Sequence, residues 1–218
     1  IKMNQIKCPV CNQYDYNEII TLEKQPLSNL ALSSHYQEAM DNVSFDIVMC
    51  MCTNCSHVYN QNASIDNITY KQEENSTYYI GEVWKNYTIK LAQNFIEKYK
   101  INNSKILEIG CGDITFLKEF IKNKNLCVGY DPSYPESEKN KYQIDIVSDY
   151  FYPKKDFTQE YDVVILRHLV EHLENAKEFL SNLVAGMLKH NPSAKLFIEV
   201  PNLQPTLEEY RVNDFVYE

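Results

Sequence analysis

A chain of 218 residues, 44% of them apolar, can hold one core of ordinary size and a small appended module. Its net charge of −9, with no basic cluster, excludes a nucleic-acid backbone as an expected partner. No run reaches the roughly 20 apolar residues of a membrane span and no leader pattern opens the sequence, so a cytoplasmic protein without a membrane partner is expected.

The first sixty residues read as a metal-binding module. Seven cysteines in a reducing compartment are seldom disulfides, and four of them are arranged for another purpose. Cys8-Pro9-Val10-Cys11 and Cys52-Thr53-Asn54-Cys55 are two C-x-x-C knuckles. Two residues between cysteines let one tight turn aim both thiolates at a single ion, and two such turns complete a tetrahedral shell. Soft thiolates in that geometry select zinc. Cys8, Cys11, Cys52 and Cys55 are therefore the expected ligands, with Cys50 and His57 as the flanking substitutes. A closed shell leaves no position for a substrate, so the expected role is structural, since zinc can contribute roughly 10–16 kcal/mol to folding. Between the knuckles lie Gln25-Pro26-Leu27-Ser28-Asn29 and a short strand, Phe45 to Met49. Residues 61–104 form a polar, Tyr-rich linker and a helix over 83–99, with apolar positions at Ile89, Leu91, Phe95 and Ile96.

From residue 105 strands and helices alternate, which implies a parallel sheet. Strands are expected at 105–110, 126–131, 144–148, 161–167 and 194–200, with helices at 114–123 and 175–189. The first strand carries Glu108 and runs into Gly110-Cys111-Gly112-Asp113. Glycine lacks a Cβ, so the backbone can turn sharply there and a ligand can lie against it. The N–H groups that open the following helix suit an anionic group. The second strand ends in Asp131, followed by Pro132, and a carboxylate at that place can accept both hydroxyls of a ribose. Turn and acid together imply a nucleoside-like cofactor. Cys111 and Cys127 read as small buried residues. The fourth strand delivers Arg167-His168-Leu169-Val170-Glu171-His172 at its carboxyl end, where open α/β sheets bind ligands. The H-x-x-E-H of His168 to His172 is also an inverted zinc-peptidase motif, but that chemistry needs the run inside a helix, and here it follows a strand.

The E-x-G-x-G of Glu108, Gly110 and Gly112 resembles the first motif of class I S-adenosylmethionine-dependent methyltransferases, E/D-x-G-x-G-x-G, with Ile114 where the last glycine would stand. In order, the knuckles, the Q-P-L-x-N segment, the Tyr-rich linker, E-I-G-C-G-D, R-H-x-x-E-H and E-V-P-N resemble methyltransferases with an N-terminal zinc-binding domain, typified by sugar C-methyltransferases. The resemblance implies an α/β, Rossmann-like methyltransferase sheet over 105–218, with S-adenosylmethionine and zinc as cofactors. Five of the family's seven strands are readable, so a C-terminal part is expected to be absent. It implies cofactor contacts at Glu108, Gly110, Cys111, Gly112, Asp131, Pro132, Arg167 and His168, with Asp149 and Tyr150 at the adenine. His172 maps onto a histidine of acceptor chemistry. Tyr78 or Tyr79 in the linker, and Tyr217 with Glu218, are further candidates for the acceptor site. The implied acceptor is a small molecule, a nucleotide-linked sugar or another precursor of a surface polysaccharide or glycosylated metabolite. The competing expectation is a non-catalytic zinc-ribbon interaction protein on a degenerate methyltransferase core.

Overall fold

The computed structural model describes residues 7–26, 35–41, 43–63, 81–139, 141–209 and 211. Residues 27–29 of the Gln25 to Asn29 segment, Tyr78, Tyr79, Tyr217 and Glu218 lie outside the described residues. The described residues fall into two compact units, one drawn from 1–69, 171–177 and 201–218, the other from 70–170 and 178–200.

The first unit contains an antiparallel sheet of β1 (Tyr16–Pro26), β2 (Ser44–Cys52) and β3 (Val58–Asn60), in that order. The strand expected at 45–49 is the middle of β2, whose Ile47 and Met49 are buried. β1 was not expected, because Tyr-Asn-Glu-Ile-Ile-Thr-Leu-Glu shows no strict alternation. Its pairing with β2 is interrupted twice, between Glu18 and Ile20 and between Leu22 and Gln25, so its apolar residues fall out of phase. Short helices α1 (Tyr36–Met40) and, late in the chain, α6 (Leu203–Glu208) also belong here; Asn202 caps α6 by accepting from the Gln204 N–H.

The second unit is a five-stranded parallel sheet in the order β6-β5-β4-β7-β8, formed by β4 (Lys105–Ile109), β5 (Leu126–Tyr130), β6 (Ile144–Val147), β7 (Val163–Arg167) and β8 (Lys195–Glu199). Each strand matches an expected one to within two residues at its ends. The sheet is apolar on both faces, as a covered parallel sheet must be. Ile106, Val163 and Ile165 pack with α2 (Glu82–Tyr99) and α3 (Leu117–Ile121), while Leu107, Val164 and Leu166 pack with α5 (Ala176–His190). α2 buries Thr88, Ala92, Phe95 and Ile96, one stripe at helical spacing. It stops in a Schellman arrangement, with Lys100 left-handed (φ +53°) and the Ile101 N–H bonded to the Ile96 carbonyl at 3.0 Å. A one-turn helix, α4 (Pro153–Asp156), lies between β6 and β7.

α3 is shorter than the expected 114–123. Ile114 is left-handed (φ +57°), and Asp113 draws off both the N–H (2.9 Å) and the hydroxyl (2.7 Å) of Thr115. That local turn competes with helix and delays its start. Among the described residues no helix is long and apolar enough to cross a membrane.

Candidate active site and metal cluster

The sheet sets the location of the first site. β5 and β6 lie on one side of β4, and β7 and β8 on the other. The chain reverses direction of growth between β4 and β7, and the crevice outside the carboxyl ends of those strands is where open α/β sheets take ligands. Glu108, Gly110, Cys111 and Gly112 lie at the end of β4, Asp131 and Pro132 at the end of β5, Asp149 and Tyr150 after β6, and Arg167 and His168 at the end of β7. The fold thus brings all the expected cofactor residues to one edge of the sheet.

Gly110 (φ +73°) and Gly112 (φ +52°) both hold left-handed backbone, which glycine adopts without strain. A Cβ on Gly110 would stand 3.3 Å from Leu169. The turn is tied to β5 by Gly110 N–H and Cys111 N–H bonds to the Tyr130 carbonyl (2.8 and 3.1 Å). Asp131 completes the tie. It is 9% exposed, one oxygen accepting from Gly112 N–H (2.9 Å) and the other from the N–H and hydroxyl of Ser133 (2.9 and 2.6 Å). A carboxylate has about four lone-pair sites, and these bonds engage three of them. Ile114, at the place of the third glycine, keeps the left-handed backbone that glycine would take, and its side chain is buried at 1% exposure. The departure from the motif therefore does not open the turn.

Glu108 is 1% exposed, and its Oε2 has no hydrogen-bond partner among the described residues. Burial pushes its carboxyl up to about 8, against the pull of the Arg167 guanidinium. A buried acceptor with nothing to accept beside a glycine turn fits a ligand that carries donors, as the amino-acid end of S-adenosylmethionine does.

The neighbouring strand end holds a second cluster. Arg167, 5% exposed, donates from Nε to Glu199 at the end of β8 and lies with its guanidinium 4.3 Å from the centre of the Phe116 ring. The Tyr87 hydroxyl donates to the other Glu199 oxygen at 2.8 Å. His168 Nε2 is 3.6 Å from that same oxygen, and its ring stands 5.4 Å from that of Trp84. Burial opposes the charge on Glu199, but His168, Arg167 and Tyr87 outweigh it and hold the carboxyl down to about 2. His168 is itself left-handed (φ +49°), and such backbone at a strand end is typical of sites where geometry is set by function.

Glu199, Tyr87 and Trp84 were not among the expected site residues. Glu199 had a signal, because it ends the fifth strand of a parallel sheet in E-V-P-N. The α2 residues had none, since only the packing of the helix shows which of its polar positions face the strand ends. His172 ends a 3₁₀ turn (Val170–His172) and belongs to the first unit.

The four knuckle cysteines converge in the first unit. Their Sγ atoms all lie within 4.8 Å of one another, with Cys8 to Cys55 at 3.6 Å and Cys11 to Cys52 at 3.5 Å. A tetrahedral site with Zn–S distances of about 2.3 Å puts sulfurs about 3.8 Å apart, so the set fits that ion. The knuckles are built alike. Asn12 N–H bonds to the Cys8 carbonyl and Cys8 N–H to the Gln13 carbonyl; Ser56 N–H bonds to the Cys52 carbonyl and Cys52 N–H to the His57 carbonyl. Asn12 (φ +61°) and Ser56 (φ +60°) take the same left-handed position. Cys50 instead donates to Gln61, and His57 stacks on Tyr59, so neither substitutes for a ligand.

A profile of the family described as "Methyltransferase domain" matches residues 82–214. No curated protein matches the sequence. Similar solved structures include a plantazolicin methyltransferase in complex with a pentazolic desmethylPZN analog and SAH (18% identity, 62% of this chain and 53% of that one, TM-score 0.43). Others are coclaurine N-methyltransferase bound to N-methylheliamine and SAH (17%, 63% and 41%, TM-score 0.43) and magnesium protoporphyrin IX methyltransferase from Synechocystis PCC 6803 with bound SAM (16%, 48% and 54%, TM-score 0.39). The chain spans less than two thirds of the length of each. The profile match covers more than half of the 218 residues, and by it the chain belongs to the class I S-adenosylmethionine-dependent methyltransferase family.

Proposed function

We propose that the protein transfers a methyl group from S-adenosylmethionine to a small acceptor, a nucleotide-linked sugar or another precursor of a surface polysaccharide or glycosylated metabolite. The observation that carries this reading is the Gly110-Cys111-Gly112 turn at the switch point of the sheet, locked through Gly112 N–H to Asp131. In it, Asp131 would hold the ribose, the bare backbone of Gly110 and Gly112 would admit the cofactor, and Glu108 would accept from the amino group of its amino-acid end. Asp149 and Tyr150, both exposed after β6, are assigned to the adenine edge, with Pro132 beside the ribose. Bound cofactor supplies a methyl already activated by a sulfonium, so the chain's own work is alignment and removal of the acceptor proton. His172, Tyr79, Tyr217 and Glu218 are the residues assigned to the acceptor side. The sugar-type acceptor is supported by the order of the knuckles and the Gln25-Pro26 segment ahead of the methyltransferase domain.

In the same reading residues 1–60 are a structural zinc module held by Cys8, Cys11, Cys52 and Cys55, residues 61–104 a linker and helix, and residues 105–218 the cofactor domain of a cytoplasmic enzyme that acts on neither nucleic acid nor membrane. Calorimetry with S-adenosylhomocysteine tests the central claim. Micromolar or tighter binding is expected; well-folded protein that ignores it and binds NADH would overturn the reading.

A further inference from the structure

A cavity of about 500 Å³ opens between the first turns of α2 and the segment that follows the glycine turn. Trp84, Lys85 and Thr88 wall it on one side, and Asp113, Thr115 and Lys118 on the other. None of these was singled out by sequence for binding. The volume is in the range of small-molecule sites.

The division of donors and acceptors in the lining decides what it can hold. The acids are already engaged. Both Asp113 oxygens accept from Thr115. Glu119, at the cavity edge, accepts from Lys122 at 2.6 Å and from Gln93 at 2.9 Å. The donors are not. Among the described residues neither Lys85 nor Lys118 enters an ion pair, and Lys118 only rests its Nζ 4.0 Å from the centre of the Tyr142 ring. Thr88 is 1% exposed, and its hydroxyl has no hydrogen-bond partner among the described residues. A buried hydroxyl left unpaired beside a cavity calls for an occupant, since the cost of desolvating it is otherwise uncompensated. Lys122 neutralises Glu119, whereas Asp113 keeps its charge behind the Thr115 bonds. Two lysines therefore outnumber the one uncompensated carboxylate of the lining, and with the Thr88 donor they favour an oxyanion, for which lysine is a common point-charge partner.

We propose that this cavity is an oxyanion site and that it holds the phosphate groups of the acceptor, with Lys85 and Lys118 against the charge and the Thr88 hydroxyl donating to a phosphate oxygen. Asp113 directly follows Gly112, so an acceptor anchored here lies next to the cofactor turn. The inference rests on the methyl-transfer reading, and it sharpens the acceptor to a phosphorylated or nucleotide-linked molecule. The cofactor's own carboxylate is the other oxyanion that could fill the site.

Calorimetry on the full chain at fixed ionic strength separates these cases, with inorganic pyrophosphate titrated into protein saturated with S-adenosylhomocysteine. Saturable binding is expected, weakened at least about tenfold in the Lys85→Gln/Lys118→Gln double variant and by about threefold in Thr88→Val, while S-adenosylhomocysteine affinity stays within about twofold. Pyrophosphate binding that is absent, or equal in wild type and variants, overturns the site and leaves the methyl-transfer reading standing. A double variant that loses affinity for S-adenosylhomocysteine but keeps it for methylthioadenosine, which lacks the amino-acid end, also overturns it by assigning the cavity to the cofactor. Folded protein that binds no S-adenosylhomocysteine overturns the reading and this inference together.

Discussion

At the residue scale, a buried carboxylate, Glu108, and a half-buried one, Glu199, have opposite environments that define the electrostatics of the sheet edge. Glu108 has burial as its leading influence and is held up to about 8; Glu199 is clamped by His168, Arg167 and Tyr87 and held down to about 2. The consequences for stability fall in separate pH windows. Below about 4.5 Glu108 is protonated both folded and unfolded and contributes no pH dependence. Between about 4.5 and 8 only the unfolded chain releases the proton, so Glu108 lowers stability by about 1.4 kcal/mol per pH unit, and above about 8 the loss is complete. Glu199 works the other way: its contribution is present above about 4.5 and is lost as pH falls toward 2. Glu108→Gln should therefore flatten the fall in melting temperature between pH 5 and 8, and unchanged pH profiles for the two proteins would show the carboxyl to be ionised already. Asp131 carries a different load. Its substitution by alanine strands Gly112 N–H and loosens the turn. Asp131→Ala should thus weaken S-adenosylhomocysteine binding by about 1.5–3 kcal/mol, roughly ten- to more than a hundredfold. Calorimetry and thermal melting on the one variant check it. Lowered stability with intact affinity would leave Asp131 as a brace for the turn and remove it from the ribose.

At the scale of elements, the glycine turn is held by its contact with β5. A Cβ on Gly129 would stand 2.7 Å from Cys111 Sγ and 3.0 Å from Ile146 Cδ1, so β5 must carry a glycine where the turn folds over it. The buried Cys111, whose thiol burial pushes well up, is a packing group in this arrangement. Gly129→Ala should cost about 1–3 kcal/mol, the usual range for overpacking. Removing the sulfur should relieve it: the Gly129→Ala/Cys111→Ala double variant is expected to lose less than the sum of the single losses by at least about 0.5 kcal/mol. Urea denaturation of the four proteins measures the coupling, and strict additivity would place the strain elsewhere. Ile114 belongs to the same element. Its left-handed backbone is unfavourable for a β-branched residue, and its buried side chain compensates by packing with the core around Phe116 and Leu117.

At the scale of the whole molecule, the two units depend on different sources of stability. The parallel sheet has cores on both faces, whereas the small antiparallel sheet buries few large side chains, Ile47 and Met49 among them. The thiols of Cys11 and Cys55 are pushed in opposite directions. The backbone hydrogen bond at Gln13 leads in lowering Cys11 to about 6. At Cys55 the backbone hydrogen bond near His57 favours ionisation, but burial and the three neighbouring thiols outweigh it and raise the group to about 12. A divalent cation resolves that conflict, because thiolates bound to it no longer repel one another unscreened. Elemental analysis should find one zinc per chain, and Cys8→Ser should lose the metal together with the order of the small sheet. Retention of both metal and fold by that variant would contradict the assignment. S-adenosylhomocysteine affinity should survive chelation, since the glycine turn, Asp131 and Glu108 all lie in the parallel-sheet unit.

What the sequence determined by itself were features written in consecutive residues. The five parallel strands are apolar runs bounded by turns, the knuckles are two-residue spacings, and Glu108, Gly110, Gly112 and Asp131 sit at strand ends that local pattern locates. β1 escaped because its two register shifts break the alternation on which strand reading depends. The end of α3 nearest the turn escaped because Asp113 diverts the Thr115 N–H, a choice between two hydrogen bonds that composition does not settle. The convergence of Arg167, Glu199 and Tyr87 was decided by tertiary structure alone. These residues are far apart in the chain, and only the register of β7 against β8 and the packing of α2 on the sheet bring a guanidinium, a carboxylate and a phenol to one point. Lys85, Thr88 and Lys118 line one cavity for the same reason: which face a helix turns toward a cavity depends on what its other face buries.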